Sequence, residues 1–236
     1  MTTSKAFPAV TTAVFDLDGA LIDSDPIISA CLRTAFAEMG LPHVTPERLR
    51  AVVGPPLTEG IRAILAENGR DLALTQACVA RYRELFREAA PNKTPLQAGI
   101  ARMLQRLGGR VTLGIATSKP RELALPILAG LGLVDMFTVI AGPELDTPAE
   151  SKGQTLNRAL EQLGLATEIP VDRARTIMVG DRKHDVAGAH AAGVFAVAVT
   201  WGYGSREELA EAGADAIFDA PEALTAAILG ARHARA

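Results

Sequence analysis

The run Ala13-Val14-Phe15-Asp16-Leu17-Asp18-Gly19 constrains this chain more than any other. Its apolar part does not alternate with polar residues, so it reads as a short strand buried on both faces. Such a strand needs neighbours on either side and cover above and below. Yet it ends in two carboxylates one residue apart, and buried like charges either raise a pKa or recruit a cation. Gly19 lets the backbone turn sharply. That leaves both aspartates at the strand's C-terminal edge, where open α/β sheets bind their ligands. A solvated acidic turn would use the same residues, and the run alone leaves both readings open.

The rest of the chain supplies the missing sheet, but only after a long interruption. Ile28, Cys31, Leu32, Ala35, Phe36 and Met39 are spaced for a helix that Gly40 stops. Thr45 as N-cap with Pro46 in the first turn opens a second helix. Leu57, Ile61, Ile64 and Leu65 mark a third, ended by Gly69, and Cys78, Val79, Tyr82, Leu85 and Phe86 a fourth. Gly54-Pro55-Pro56 reads as a turn, and Pro91 to Gly99 as a linker. From Ile100 on, strands alternate with helices. Strands are expected at 111–116, 137–141, 176–179, 195–199 and 216–218. Helices are expected at 121–131, 151–163, 185–192 and 205–212, where Ser205 and Glu208 have capping-box spacing, and at the C-terminus.

This alternation predicts an α/β fold: a Rossmann-like parallel sheet with helices on both faces, joined by the N-terminal strand. The expected domains are a core of residues 1–22 and 91–236 and an inserted all-helical cap of residues 23–90. The tail from Gly230 is expected to fray.

Composition narrows the function. The net charge of -3 and the scattered Arg and Lys favour neither nucleic acid nor an anionic membrane. Aromatics make up only 4% of the chain, too few for a base-stacking surface. Met1 to Pro8 has no apolar segment of a signal peptide, and the first apolar stretch is too short to span a membrane, so a cytoplasmic protein is expected. Cys31 and Cys78 fall on apolar helix positions and read as buried reduced thiols.

Three further polar clusters follow predicted strands. Thr117-Ser118-Lys119-Pro120 offers hydroxyls and backbone N–H groups at a strand-to-helix turn, where a phosphate can be held or a helix simply capped. Ser151-Lys152-Gly153 opens a helix with a cation that opposes the macrodipole. A locally misplaced charge points to function more than a well-placed one, although a solvated lysine is the commoner outcome. Gly180-Asp181-Arg182-Lys183-His184-Asp185 again places carboxylates after an apolar strand. One or two such oxygen donors suffice for Mg²⁺, which keeps several waters and needs no imidazole, so His184 reads as an exposed polar residue.

Carboxylates, a hydroxyl, a lysine and more carboxylates, in that order at four strand ends, resemble the haloacid dehalogenase superfamily of phosphohydrolases. Asp16-Leu17-Asp18-Gly19-Ala20 matches that family's D-x-D-G-(T/V), Thr117 its second motif, Lys152 its third, and Gly180 to Asp185 its acidic G-D-x-x-x-D. The helical insert is similar to the family's helical cap. Val53 to Leu57, Ala116 to Pro120, Gly180 to Asp185 and Trp201 to Ser205 resemble its phosphoglycolate phosphatase-like subgroup. Ala20 departs from the pattern: it supplies neither hydroxyl nor β-branching, and is expected to pack less tightly beside the nucleophile.

The resemblance implies a Mg²⁺-dependent phosphatase that hydrolyses a small phosphate monoester (phosphoglycolate-like, nucleotide or sugar phosphate) through an aspartyl-phosphate. It makes Asp16 the nucleophile and Asp18 the acid–base group. Thr117, Ser118 and Lys152 would steady the phosphoryl oxygens. Asp16, Asp181 and Asp18, the last through its backbone carbonyl, would hold the metal. Asp185 would stand behind them, orienting a bound water or Lys152. The implied partner is a small phosphorylated metabolite, with the chain a monomer or homodimer. Two other readings stand beside it. One is a β-phosphoglucomutase-like phosphotransferase, which usually carries Glu-Asp where this chain has Gly180-Asp181-Arg182. The other is a non-catalytic regulator that binds a phosphometabolite.

Overall fold

A computed structural model describes residues 6–41, 44–50, 52, 57–145, 147 and 150–233. Six strands form one sheet: β1 (Thr12–Phe15), β2 (Thr112–Ala116), β3 (Val139–Ala141), β4 (Thr176–Gly180), β5 (Phe195–Val199) and β6 (Ala216–Phe218). Their order is β3-β2-β1-β4-β5-β6, and every pairing is parallel. The N-terminal strand therefore lies at the centre, with Phe15 level with Ile115 of β2 and Val179 of β4. The chain winds outward from β1 to β3, then returns to β4 and winds the other way. That reversal at the β1/β4 boundary is the switch point at which doubly wound sheets bind ligands.

Strands β1, β2, β4 and β5 are buried on both faces over most of their length, while β6 at the edge is half-buried. Val14, Met178 and Ala196 join a core with Leu156, Ala159, Leu160 and Leu163 of helix α7 (Lys152–Thr167) and with Val186 and Ala189 of α8 (Lys183–Ala191). Alternate residues point to the other face, and there Ala13, Phe15, Ile177 and Val179 are equally inaccessible. Gly114 admits α7 close to the sheet, since a Cβ there would come 3.1 Å from the Leu163 side chain. Where α7 and α8 meet, a Cβ on Gly188 would lie 2.9 Å from Lys152 Cγ. Sparse side chains at this crossing let Lys152 pass beneath α8.

Of the described residues, those up to Asp23 and from Leu96 on form one compact unit, and Ser24–Pro95 form a second. The second contains α1 (Asp25–Glu38), α2 (Pro46–Arg50), α3 (Leu57–Glu67) and α4 (Thr75–Lys93), with α4 packed on α1 and α3. Arg81 of α4 forms a forked ion pair with Glu38 of α1, and the Tyr82 and Phe86 rings stack at 5.5 Å. Cys31 and Cys78 are buried and free, and burial pushes the Cys78 thiol up to about 11. Among the described residues no helix is long and apolar enough to cross a membrane.

The structure departs from the sequence reading in several places. α4 continues through Pro91 to Lys93, where a linker was expected. A proline in the last turn forfeits one backbone hydrogen bond, a small loss against the burial of Phe86 and Ala90 on the same helix. Helix α5 (Ile100–Leu107) precedes β2 and packs with the C-terminal helix α10 (Pro221–His233). Its Ile100, Met103, Leu104 and Leu107 carry the helical spacing, and all are buried. β3 begins only at Val139, after a 3₁₀ turn at Val134–Met136, and α7 runs four residues beyond Leu163. The remaining helices are α6 (Arg121–Gly130) and α9 (Arg206–Glu211). Ser205 caps α9 by accepting the Glu208 N–H, but the Glu208 carboxylate turns to Arg182 and the Lys183 N–H, so the box is half formed. The expected turn at Gly54 to Pro56 lies outside the described residues.

Leu156→Ala should cost about 2–5 kcal/mol, because it opens a cavity in a core that rigid strands cannot close. Urea unfolding should show a lower midpoint at an unchanged slope.

Candidate active site

Asp16 is the first residue after β1, and its N–H still donates to the Val179 carbonyl at 2.8 Å. The next residues fold back tightly: the N–H groups of Leu21 and Ile22 both donate to the Leu17 carbonyl, and Gly19 N–H donates to the Ile22 carbonyl. Gly19 takes φ +86°, and a Cβ there would strike the Asp181 carboxylate at 2.2 Å. Only glycine permits both the turn and this approach. Ala20 is almost wholly buried, and its carbonyl accepts the Trp201 indole N–H at 3.0 Å. The short side chain therefore sits in a loop that the Trp201 indole N–H holds through the backbone.

Lys152 reaches the same place from α7. Ser151 caps that helix with a full capping box to Gln154. Arg158 ties the helix to the exit of β3 by donating to the Gly142 carbonyl at 2.7 Å and pairing with Glu150. The Lys152 side chain is 4% exposed, with Nζ 2.6 Å from Asp16 Oδ1 and 2.8 Å from Asp185 Oδ1. The contact to Asp16 is an ion pair outside good hydrogen-bond directions, since Asp16 Oδ1 makes no hydrogen bond among the described residues. The charge opposed to its helix dipole is thus held by two carboxylates.

Asp181 follows β4 and has no exposed surface. Its Oδ2 accepts the Tyr203 N–H at 2.7 Å, while its Oδ1 is buried without a hydrogen-bond partner among the described residues. Gly202 presses on it, for a Cβ there would come within 2.4 Å of the carboxylate. Asp185, in the first turn of α8, accepts the Arg182 N–H at 3.0 Å through Oδ2. Gly180 gives it room, as a Cβ there would overlap the Asp185 carboxylate.

Asp16, Asp181 and Asp185 bring one carboxylate oxygen each to within 4.8 Å of one another. Three carboxylates and one ammonium leave two negative charges to be balanced by protons or by a divalent cation. Burial pushes the Asp16 carboxyl up to about 6; Lys152 opposes the rise and the charge of Asp185 adds to it. Burial, then the charges of Asp185 and Asp16, hold Asp181 well above the usual carboxylate range. Burial disfavours the Lys152 ammonium, but Asp16 and Asp185 outweigh it and hold its pKa above that of an ordinary lysine. The unpartnered Asp181 Oδ1 and a donor set of hard oxygens fit a small divalent cation.

The predicted site residues separate here. Asp16, Lys152, Asp181 and Asp185 converge. Asp18 is not part of the three-carboxylate group, and its Oδ2 lies 3.2 Å from Lys119 Nζ. Thr117 is buried at the end of β2, where its Oγ1 accepts the Lys119 N–H at 3.1 Å. Ser118 and His184 are exposed. Sequence reasoning passed over Lys119, whose side chain is 7% exposed. The signal was present: like Lys152, it is a cation placed beside a helix N-terminus. Trp201 and Tyr203 were also missed as contacts of the site, because their roles run through a backbone carbonyl and a backbone N–H.

Comparison with known proteins shows the family and the fold. The family model described as haloacid dehalogenase-like hydrolase matches residues 13–199. A 5'-nucleotidase of Pseudomonas aeruginosa is 35% identical over 197 residues, covering 83% of this chain and 85% of its own. A phosphoglycolate phosphatase of Xanthomonas campestris pv. campestris is 37% identical over 193 residues, 80% of this chain and 83% of its own. Among solved structures, a predicted phosphatase from Clostridium acetobutylicum superposes with a TM-score of 0.80 at 29% identity, covering 94% of this chain and 99% of that one.

Asp181→Asn should stabilise the metal-free protein by about 1 kcal/mol or more, a rise of roughly 2–4 °C in Tm in excess chelator at pH 7.5. Asp16 and Asp181 bind protons more tightly in the folded chain than in the unfolded one. Each therefore carries a penalty that is full above its folded-state pKa, about 6 for Asp16 and well above the ordinary carboxylate range for Asp181, and that is lost as the pH falls to that ordinary range. The advantage of the Asn variant should shrink as the pH is lowered from 7.5 toward the ordinary carboxylate range. Added Mg²⁺ should raise the Tm of the wild type and leave that of the variant nearly unmoved.

Proposed function

We propose that this chain, which belongs to the haloacid dehalogenase-like hydrolase family, is a Mg²⁺-dependent phosphatase acting on small phosphate monoesters through an aspartyl-phosphate. The observation that carries the reading is the buried Lys152 ammonium between Asp16 and Asp185, with Asp181 beside them. A helix-starting lysine taken out of water to meet two carboxylates is poor design for stability alone. It suits a site that must hold a doubly charged phosphoryl group against a carboxylate. The names of the nucleotidase and the phosphoglycolate phosphatase among its relatives support a monoester substrate.

Asp16 is the nucleophile in this reading. A carboxylate attacks weakly but is available near neutral pH once its proton is lost. As its oxygen bonds to phosphorus, the bond from phosphorus to the leaving oxygen breaks, and Asp18 gives that oxygen a proton. Water then attacks the aspartyl-phosphate, the bond to Asp16 breaks, and the water's proton passes to Asp18. Lys152 stays paired with Asp16 and supplies positive charge to the phosphoryl oxygens, and Thr117 at the end of β2 steadies them with its hydroxyl. Asp16, Asp181 and the backbone carbonyl of Asp18 would hold Mg²⁺, and Asp185 orients Lys152 at 2.8 Å. When bound, the cation offsets the repulsion between a carboxylate and a phosphate dianion. The helical insert enters the chain directly after Asp16 and Asp18, so we assign it the choice of leaving group.

Phosphate release from a panel of phosphoglycolate, nucleoside monophosphates and sugar phosphates tests the reading. Activity should require Mg²⁺ and vanish in excess chelator. Asp16→Asn should lose at least about 10³-fold in kcat while keeping the wild-type circular dichroism spectrum. Isomerisation of a sugar phosphate without net release would favour the phosphotransferase instead. Binding without turnover across the panel would favour a regulator.

A further inference from the structure

The site holds a second buried cation that the proposed chemistry does not use. Lys119 Nζ lies 3.2 Å from Asp18 Oδ2, with side chains 7% and 20% exposed. The two lysines divide the carboxylates between them: Lys152 meets Asp16 and Asp185, and Lys119 meets Asp18.

The backbone of Lys119 is held on both sides. Its N–H donates to Thr117 Oγ1 at 3.1 Å. Its carbonyl packs against Gly142, where a Cβ would approach to 2.5 Å. The following turn is anchored by the Arg121 N–H on the Pro143 carbonyl at 2.9 Å. Lys119 thus projects from a fixed point between β2 and α6. It is no flexible surface lysine that met a carboxylate by chance.

We propose that Lys119 is a positioning residue for the second half of the reaction, holding the Asp18 carboxylate where it receives the proton of the attacking water. The inference rests on the phosphatase reading above. An ammonium paired to one oxygen fixes the direction of the carboxylate plane, and a base fixed in advance need not be oriented during the step. The pair is made with the ionised carboxylate, the form that can take a proton from water, which is the role Asp18 has once Asp16 carries the phosphoryl group. Formation of the aspartyl-phosphate from an ester with a good leaving group needs no proton from Asp18. That step should not need Lys119 either.

The two halves separate with p-nitrophenyl phosphate as probe. For Lys119→Met, kcat should fall about 10- to 100-fold while kcat/KM stays within about threefold of wild type. Rapid mixing should show a burst of nitrophenol close to one equivalent, and acid quench should trap phosphorylated enzyme that the wild type does not accumulate. Lys119→Arg should recover most of kcat. Lys119→Gln, with the same loss of charge and smaller bulk, repeats the test should the Met variant unfold, and thermal unfolding checks each protein. An equal fall in kcat and kcat/KM without a burst would overturn the inference, because Lys119 would then act on the substrate phosphate or on the fold. So would unchanged kinetics. A wild-type protein that neither releases phosphate nor forms a phosphoenzyme would instead sink the phosphatase reading, and this inference with it.

Discussion

The buried ammonium of Lys152 is the interaction on which the rest of this site depends. It lies between Asp16 at the end of the central strand and Asp185 on α8, so it ties β1, α7 and α8 at one point. Removed from water, such a charge is costly unless it is paired and close. Both distances are short and both partners are themselves buried. The helix that delivers it is capped at Ser151, anchored through Arg158 and drawn close to its neighbour at Gly188. These local features have no common purpose until the ammonium is placed.

The glycines explain how so many charges share so little space. Gly19, Gly180, Gly202 and Gly204 all stand where a Cβ would overlap Asp181 or Asp185. Gly19 has a positive φ to justify it, but the other three do not. They are glycines because of what lies opposite. Backbone thus comes close to Asp181 and Asp185 where a side chain would not fit. Asp181 keeps one buried oxygen without a hydrogen-bond partner among the described residues. A core built for stability would not leave that atom so, and the raised pKa values of Asp16 and Asp181 express the same tension.

Much of this was legible in the chain. The absence of alternation in Ala13 to Phe15 demanded a strand covered on both faces, and the βα alternation after residue 100 supplied the sheet. The misplaced charge of Lys152 and the acids after Val179 marked the right strand ends. α5 escaped because it is short and stands just before the first strand of the second run. α4 passed the proline expected to stop it, because buried contacts on its other residues outweigh one lost hydrogen bond. Lys119 carried the same signal as Lys152, yet sat in a segment that an ordinary helix cap accounts for equally well.

What the sequence determined by itself was the kind of chemistry and the order in which its parts appear, since residue type and local period are properties of neighbours along the chain. What only the tertiary structure decided was which charges share which partners. Asp16 and Asp18 are separated by a single residue and carry the same side chain. The fold gives Asp16 to Lys152 and the three-carboxylate group, and Asp18 to Lys119. That division comes from strands far apart in the chain ending side by side. Coulomb interactions at about 3 Å follow distance in space and take no account of separation in sequence.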